Sequence, residues 1–79
     1  MISTGQVRAA RAMLRWTAQD LADASGVGVA TIRRMEVEDG LPSAQIRSLS
    51  AIQSAFEAAG IEFIGSPEDG PGVRLRTAK

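Results

Sequence analysis

A connection of only two residues, Val27-Gly28, separates a short helical pattern that ends at Gly26 from the next one, and it constrains the fold more than any other feature of the chain. The first pattern begins at Thr17, a preferred N-cap residue. The second begins near Val29 and carries apolar residues three apart at Ile32 and Met35. Two helices joined so closely cannot lie antiparallel, so they must cross steeply.

A steep crossing of this kind makes three demands on the sequence. A small residue is needed where the two backbones approach, and Ala22 provides it. A residue that tolerates a positive φ angle is needed at the turn, and Gly26 provides it. Apolar anchors are needed below the crossing, at Leu21, Val27, Ile32 and Met35. Residues 18–37 therefore predict a helix-turn-helix unit, whose second helix lies in the major groove of DNA.

Further helical patterns flank this unit. Ser3 and Gln6 have capping-box spacing ahead of an apolar series, which predicts a first helix over about residues 4–14. Turn-forming residues occupy 39–42. Ser43 can cap a longer helix with apolar residues at spacings of three and four, namely Ile46, Leu49, Ile52, Phe56 and Ala59. The pattern leaves open whether residues 43–59 form one helix or two.

The periodicity changes after Gly60. Residues 61–64 and 72–76 are short β-prone runs, and residues 65–71 between them are nearly all turn formers, which predicts a β-hairpin with a loose loop. Alternation places Ile61, Phe63, Val73 and Leu75 on one face, and Glu62, Arg74 and Arg76 on the other. The predicted fold class is mainly α, a compact four- to five-helix bundle over residues 1–60 with a short C-terminal β-hairpin and tail over residues 61–79.

Composition limits the chemistry that such a fold can perform. The chain has neither cysteine nor histidine, which excludes disulfides, His- or Cys-based metal sites and Ser-His-Asp or Cys-His catalysis. The acidic pairs Glu38-Asp39 and Glu68-Asp69 have no accompanying base or nucleophile, so we expect no enzyme, cofactor or metal. No apolar run approaches the roughly 20 residues that span a bilayer, and no targeting segment begins the chain, so we expect a cytoplasmic protein.

The formal net charge is zero, but the charges are unevenly distributed. Residues 1–34 have five arginines against two aspartates, a net charge of +3. Residues 35–59 have one arginine against four acidic residues, a net charge of −3. A polyanion is therefore expected to meet the first half of the chain and to avoid the middle.

Taken together, residues 3–59 resemble the Cro/C1-type (XRE) helix-turn-helix family of phage and bacterial transcriptional repressors. The resemblance rests on Arg11, Trp16-Thr17, Leu21-Ala22, Gly26-Val27, Thr31-Ile32 and Met35-Glu36. It implies a lambda-repressor-like helical domain that binds double-stranded DNA and acts as a repressor. Proteins with this motif generally bind as dimers, so we expect a homodimer on an inverted-repeat operator.

The resemblance also implies roles for individual positions. The family's base-reading positions correspond to Val29, Ala30 and Arg34, with Arg33 beside them. The positions that contact phosphate correspond to Thr17, Ala18, Gln19, Thr31 and Ser43. Arg11 and Glu36 correspond to a buried salt bridge between the first and third helices. Trp16, just before the Thr17 cap, fits a hydrophobic staple and is predicted to lie in the core.

The sequence departs from the family pattern where DNA is contacted. Ala18 stands in place of a glutamine that usually contacts DNA. Val29 and Ala30 are apolar where many relatives have Gln or Ser, so they can contact thymine methyl groups but form no side-chain hydrogen bonds to bases. Direct readout then depends on Arg33 and Arg34, and we expect weak or degenerate specificity.

Two alternative functions and two roles of the hairpin stay open at this stage. The chain is alternatively an antitoxin-like autoregulator whose tail binds a partner protein, or a protein-binding module without DNA binding, to which the neutral net charge gives some support.

An isolated two-stranded hairpin is marginally stable in water. The hairpin therefore either caps the monomer core or forms a homodimer interface through Ile61, Phe63, Val73 and Leu75.

Overall fold

The computed structural model describes residues 2–38 and 45–76. Along the chain it has helices α1 (Thr4–Leu14), α2 (Ala18–Ser25), α3 (Val29–Glu36) and α4 (Ile46–Ala58), then strands β1 (Ile61–Ser66) and β2 (Asp69–Leu75). The two strands form an antiparallel hairpin. This architecture confirms the predicted mainly helical fold with a short C-terminal hairpin.

Capping boxes define the starts of α1 and α2, as the sequence predicts. The Ser3 hydroxyl accepts a hydrogen bond from the Gln6 backbone N–H at 3.1 Å, and the Gln6 side chain accepts one from the Ser3 N–H at 2.8 Å. Thr17 and Asp20 form the same reciprocal pair at 3.0 and 2.9 Å. Each box satisfies backbone donors that no helical carbonyl can reach, so both helices begin where local sequence favours it.

One apolar core lies between the helices and the inner face of the hairpin. Its buried members are Ile2, Val7, Ala10, Leu21, Ala22, Ile32, Met35, Leu49, Ile52, Phe56 and Ile61. Trp16 stacks on Phe56 with ring centroids 5.6 Å apart, and Phe63 of β1 meets the same ring edge-on at 6.0 Å. Ile61 is only 3% exposed, so the hairpin completes the core of the helices.

Helix α4 begins later than the sequence predicts. Its N-cap is Gln45, whereas Ser43 and the turn predicted over residues 39–42 lie outside the described residues. From Ile46 to Ala58 the chain forms a single helix. Of the apolar series in α4, Ile46 is 73% exposed in the first turn, and the buried positions begin at Leu49.

The hairpin is longer and tighter than predicted. The register pairs Ile61 with Leu75, Glu62 with Arg74 and Phe63 with Val73, which confirms the two predicted faces. Only Pro67 and Glu68 separate the strands, so the expected loose loop is wrong. A bulge makes this possible, because Gly65 lies opposite two residues of β2; its φ is +73°, and a Cβ atom there would collide with the Gly70 carbonyl. Turn-forming residues therefore join the ladder through the bulge.

A buried glutamine fastens the hairpin to α1. Gln6 is 3% exposed, and its Nε2 donates to the carbonyls of Ile64 and Gly72 at 3.1 and 2.9 Å. The same side chain completes the capping box of α1. One residue thus joins the start of the first helix to both strands.

Candidate nucleic-acid interface

The turn between α2 and α3 is held by local hydrogen bonds. Gly26 adopts a φ of 79°, and its N–H donates to the Ala22 carbonyl at 2.9 Å. The Ser25 hydroxyl donates to the Leu21 carbonyl at 2.7 Å and accepts from the Val27 N–H at 3.2 Å. Ala22 is 8% exposed, which places the small residue inside the core as the helix crossing requires. The turn therefore presents α3 in a defined orientation.

Helix α3 separates its side chains into a buried and an exposed face. Ile32 and Met35 are buried and attach the helix to the core. Four exposed residues at helical spacing form what we term the outer stripe: Ala30, Arg33, Arg34 and Val37. Val29, which is expected to face outward, is half-buried and packs against the core. Three of the four expected base-reading residues thus lie on one open surface, and Val37 adds a fourth side chain to it.

The arginines of the outer stripe are unpartnered within the described part of the chain. Neither Arg33 nor Arg34 forms an ion pair or a side-chain hydrogen bond there. A guanidinium group offers five N–H donors in a planar fork, which matches guanine O6 and N7 or a phosphate. The stripe therefore presents two unneutralised groups that suit nucleic acid.

The start of α2 is less well suited to binding phosphate than the outer stripe is. Thr17 and Gln19 are exposed there, but the Thr17 hydroxyl is engaged in the cap and Gln19 Nε2 donates to Asp23 Oδ1 at 3.0 Å. Ala18 is half-buried against the core. Asp20 places a carboxylate in the first turn, where it already accepts from the Thr17 N–H. The exposed end of α2 therefore combines backbone donors with an acidic neighbour.

Helix α4 contributes a cation that sequence reasoning missed. Arg47 is exposed, and with Thr31 and Ser48 it lines an open depression beside the α2–α3 turn. Arg47 is the only basic residue within residues 35–59. Its isolation in an acidic segment is the feature of the sequence that could have identified it as a candidate DNA contact. Only the packing of α4, however, brings Arg47 beside the half-buried Thr31. Ser43, the other expected phosphate contact in this region, lies outside the described residues.

An ion pair behind α3 holds the helix to α1. Arg11 Nε and Nη2 donate to the two carboxylate oxygens of Glu36, each at 2.8 Å, and Arg11 Nη1 donates to the Trp16 carbonyl at 2.8 Å. The Arg11 and Glu36 side chains are 23% and 10% exposed. The hydrogen bond to Glu36 raises the pKa of Arg11, so this guanidinium stays charged. Arg8 Nη1 also donates to the Glu36 backbone carbonyl, at 2.6 Å.

This geometry defines a helix-turn-helix module, and comparison with known families agrees. The model of a helix-turn-helix family matches residues 7–46, half of the chain, from α1 to the start of α4. The chain therefore belongs to the Cro/C1-type helix-turn-helix family, a family of DNA-binding regulators that are generally not enzymes. Comparison with curated proteins and with solved structures yields no significant match. In the described ranges, no helix is long and apolar enough to cross a membrane.

Proposed function

We propose that this protein is a sequence-specific transcriptional repressor that inserts α3 into the major groove of double-stranded DNA. The observation that carries the proposal is the outer stripe, where two arginines without described partners stand beside apolar neighbours on the exposed face of α3. This is the face that a recognition helix turns toward base edges. The repressor role rests on the resemblance of residues 3–59 to phage and bacterial repressors.

The contacts divide into base-reading and phosphate-binding groups. Arg33 and Arg34 are assigned to guanine edges, with Ala30 beside them and the half-buried Val29 at the groove margin. The phosphate contacts are assigned to Thr17, Gln19, Thr31, Ser43 and the newly identified Arg47, with Ala18 contributing its backbone N–H. The neutral net charge does not oppose this assignment, because attraction to DNA depends on the local field of the binding face.

We further propose that two copies bind an inverted repeat, which places their α3 helices about 34 Å apart on one face of the duplex. The side chains of Ile61, Phe63, Val73 and Leu75 pack on the helices of their own chain, so they are poorly placed to contact a second copy. The interface is therefore better assigned to a strand edge of the hairpin.

The two edges of the hairpin differ in their ability to pair. The Arg76 N–H donates to the Gly60 carbonyl at 2.8 Å, and alternation along the ladder then turns the backbone polar groups of the half-buried Phe63 away from β2, whereas Ile61 is only 3% exposed. The outer edge of β2 contains Pro71, which has no N–H to donate. The edge of β1 is therefore the one we assign to dimerisation.

DNA binding is tested by selecting fragments of the source genome on the full chain and measuring their affinity by fluorescence anisotropy at several salt concentrations. We expect affinity to fall steeply as salt rises, because bound arginines displace counterions from phosphate. Failure to retain any fragment at about 50 mM salt would contradict DNA binding and favour the protein-binding module instead.

Dimerisation needs a separate measurement on the full chain, since removing residues after Gly60 would delete Ile61 from the core. Light scattering is expected to give a dimer at high micromolar concentration, and two copies per selected duplex. A protein that stays monomeric both free and on DNA would overturn the dimer proposal and leave the hairpin as a cap on the monomer core.

A further inference from the structure

We propose that the outer stripe recognises pyrimidine methyl groups, so that the protein prefers a guanine preceded by thymine or by 5-methylcytosine, with Val37 as the specificity-determining residue. The inference rests on the proposed DNA-binding function and concerns the chemistry of the site that α3 selects. Val37 carries no assignment from the sequence. It is the C-cap residue of α3 and is 82% exposed, which makes it the most exposed large apolar side chain of the described residues.

The chemical content of the stripe limits what it can distinguish. Its two polar members, Arg33 and Arg34, are donors only, so they suit the O6 and N7 acceptors of guanine. Its two other members, Ala30 and Val37, have no polar side-chain atom. The stripe has no amide to pair with adenine and no carboxylate to accept from cytosine N4. The remaining major-groove feature that it can detect is the C5-methyl group of a pyrimidine.

The helical spacing brings these two chemistries together. Val37 follows Arg34 by three residues and Arg33 by four, and Ala30 precedes them by the same intervals. Side chains at these spacings are neighbours on a helix, with Cβ atoms about 5–6 Å apart. Each arginine therefore has apolar neighbours on both sides along the groove. In B-DNA the methyl group of a pyrimidine lies beside the O6 and N7 edge of the guanine that follows it on the same strand.

The expected preference follows from removing apolar surface from water. In the free protein Val37 is almost fully solvated, and in the complex its branched side chain and a pyrimidine methyl group cover each other. Burying one methyl-sized group favours binding by about four-fold. Thymine and 5-methylcytosine present this methyl group at the same place, whereas uracil and cytosine lack it. Methylation of a cytosine before a contacted guanine is therefore expected to strengthen binding.

The experiment begins with duplexes selected from a random library by the full chain. In the tightest duplex, the thymine before each guanine is replaced by deoxyuridine, by cytosine or by 5-methylcytosine, and affinity is measured by anisotropy. At a contacted step we expect deoxyuridine and cytosine to weaken binding about four-fold relative to their methylated counterparts. In Val37→Ala that difference should shrink to less than two-fold. Met13→Ala is the matched control, because Met13 is also an exposed apolar side chain, 44% exposed, but lies on α1.

Each outcome bears on a distinct claim. Equal affinity for thymine and deoxyuridine at every step would overturn methyl recognition while leaving DNA binding intact. A methyl preference that persists unchanged in Val37→Ala would overturn the role of Val37. A library from which no duplex is enriched would overturn both this inference and the proposed function. A preference lost in Val37→Ala and kept in Met13→Ala would support the assignment.

Discussion

The exposed faces of α3 and of the hairpin each carry two arginines, and their surroundings differ. On the hairpin, Arg74 and Arg76 share the carboxylate of Glu62, at 3.4 and 2.8 Å. On α3, Arg33 and Arg34 have no partner among the described residues. The comparison teaches that whether an arginine stays unpaired depends on which partners the fold gives to the carboxylates near it.

The difference has a structural cause. Strand register places Glu62 directly opposite Arg74, so the hairpin neutralises its own cations. Helix α3 also contains a carboxylate, Glu36, but Arg11 binds it from α1. The Arg11–Glu36 pair therefore has two consequences: it attaches α3 to α1, and it removes the acidic group of α3 from the outer stripe.

The largest expected effect comes from breaking that pair. Arg11→Met should lower the free energy of unfolding by about 3 kcal/mol, because it leaves the mostly buried Glu36 carboxylate and the Trp16 carbonyl without their donor. Urea unfolding measures this loss. Arg11→Met combined with Glu36→Leu should cost less than the sum of the two single changes. Small and additive losses would mean that the pair does not stabilise the fold.

The comparison of the two faces is tested directly by matched arginine removals. Arg34→Ala should weaken binding to a selected duplex by about 1–3 kcal/mol and relax the preference at one base pair. Arg76→Ala removes a guanidinium that already has a carboxylate partner, so its effect on affinity should be much smaller. Both are measured by anisotropy at one salt concentration. Equal losses in the two variants would refute the distinction between the faces.

The attachment of the hairpin is tested through Gln6. Gln6→Met keeps the approximate side-chain volume but removes the donor to the Ile64 and Gly72 carbonyls, so stability should fall by about 1–2 kcal/mol. Amide hydrogen exchange should quicken in β1 and β2 more than in α2 and α3. Gln53→Met is the control, because Gln53 forms only an exposed bond to Glu57 at 3.2 Å. Unchanged exchange in the strands would contradict the role of Gln6.

The contribution of Arg47 to DNA binding is expected to appear in the salt dependence of the affinity. If Arg47 meets one phosphate, Arg47→Gln should reduce the slope of log affinity against log salt by about 1. It should also weaken binding similarly for selected and unrelated duplexes, because phosphate carries no base sequence. Arg15→Gln offers a comparison with an exposed arginine at the C-cap of α1. An unchanged slope would exclude the phosphate contact.

The smallest effect concerns the charge cluster on the hairpin. The hydrogen bond from Arg76, together with the charges of Arg76 and Arg74, lowers the pKa of Glu62 below its ordinary value of 4.5. The stabilisation is therefore present above that value and is lost as pH falls through the lower pKa of the folded state. Glu62→Gln should make the stability of the protein slightly less dependent on pH in this range. Added salt should make this difference between the variant and the original protein smaller still. An identical pH profile in the variant would show that the cluster contributes nothing.

Local sequence determined the starts of α1 and α2 and the two faces of the hairpin. The reasons are short-range: a side-chain cap reaches only three residues along the chain, and strand side chains alternate with a period of two. The position of Gly26 at the α2–α3 turn is similarly local, because a positive φ angle is favourable for few other residues. The pairing of Arg11 with Glu36, which are 25 residues apart, was predicted from the family resemblance and not from local sequence.

Tertiary packing decided the remaining features, because each depends on residues that are distant in the chain. Gln6 meets Ile64 and Gly72 only after the hairpin folds back onto α1. Val29, which the family resemblance assigns to base reading, is half-buried three residues before the buried Ile32, and Ile46 is exposed three residues before the buried Leu49, since the edge of the core is set by neighbouring elements. Arg47 reaches the depression beside Thr31 through the placement of α4. Periodicity determines which side of an element is apolar, but only packing determines how far the core extends along it.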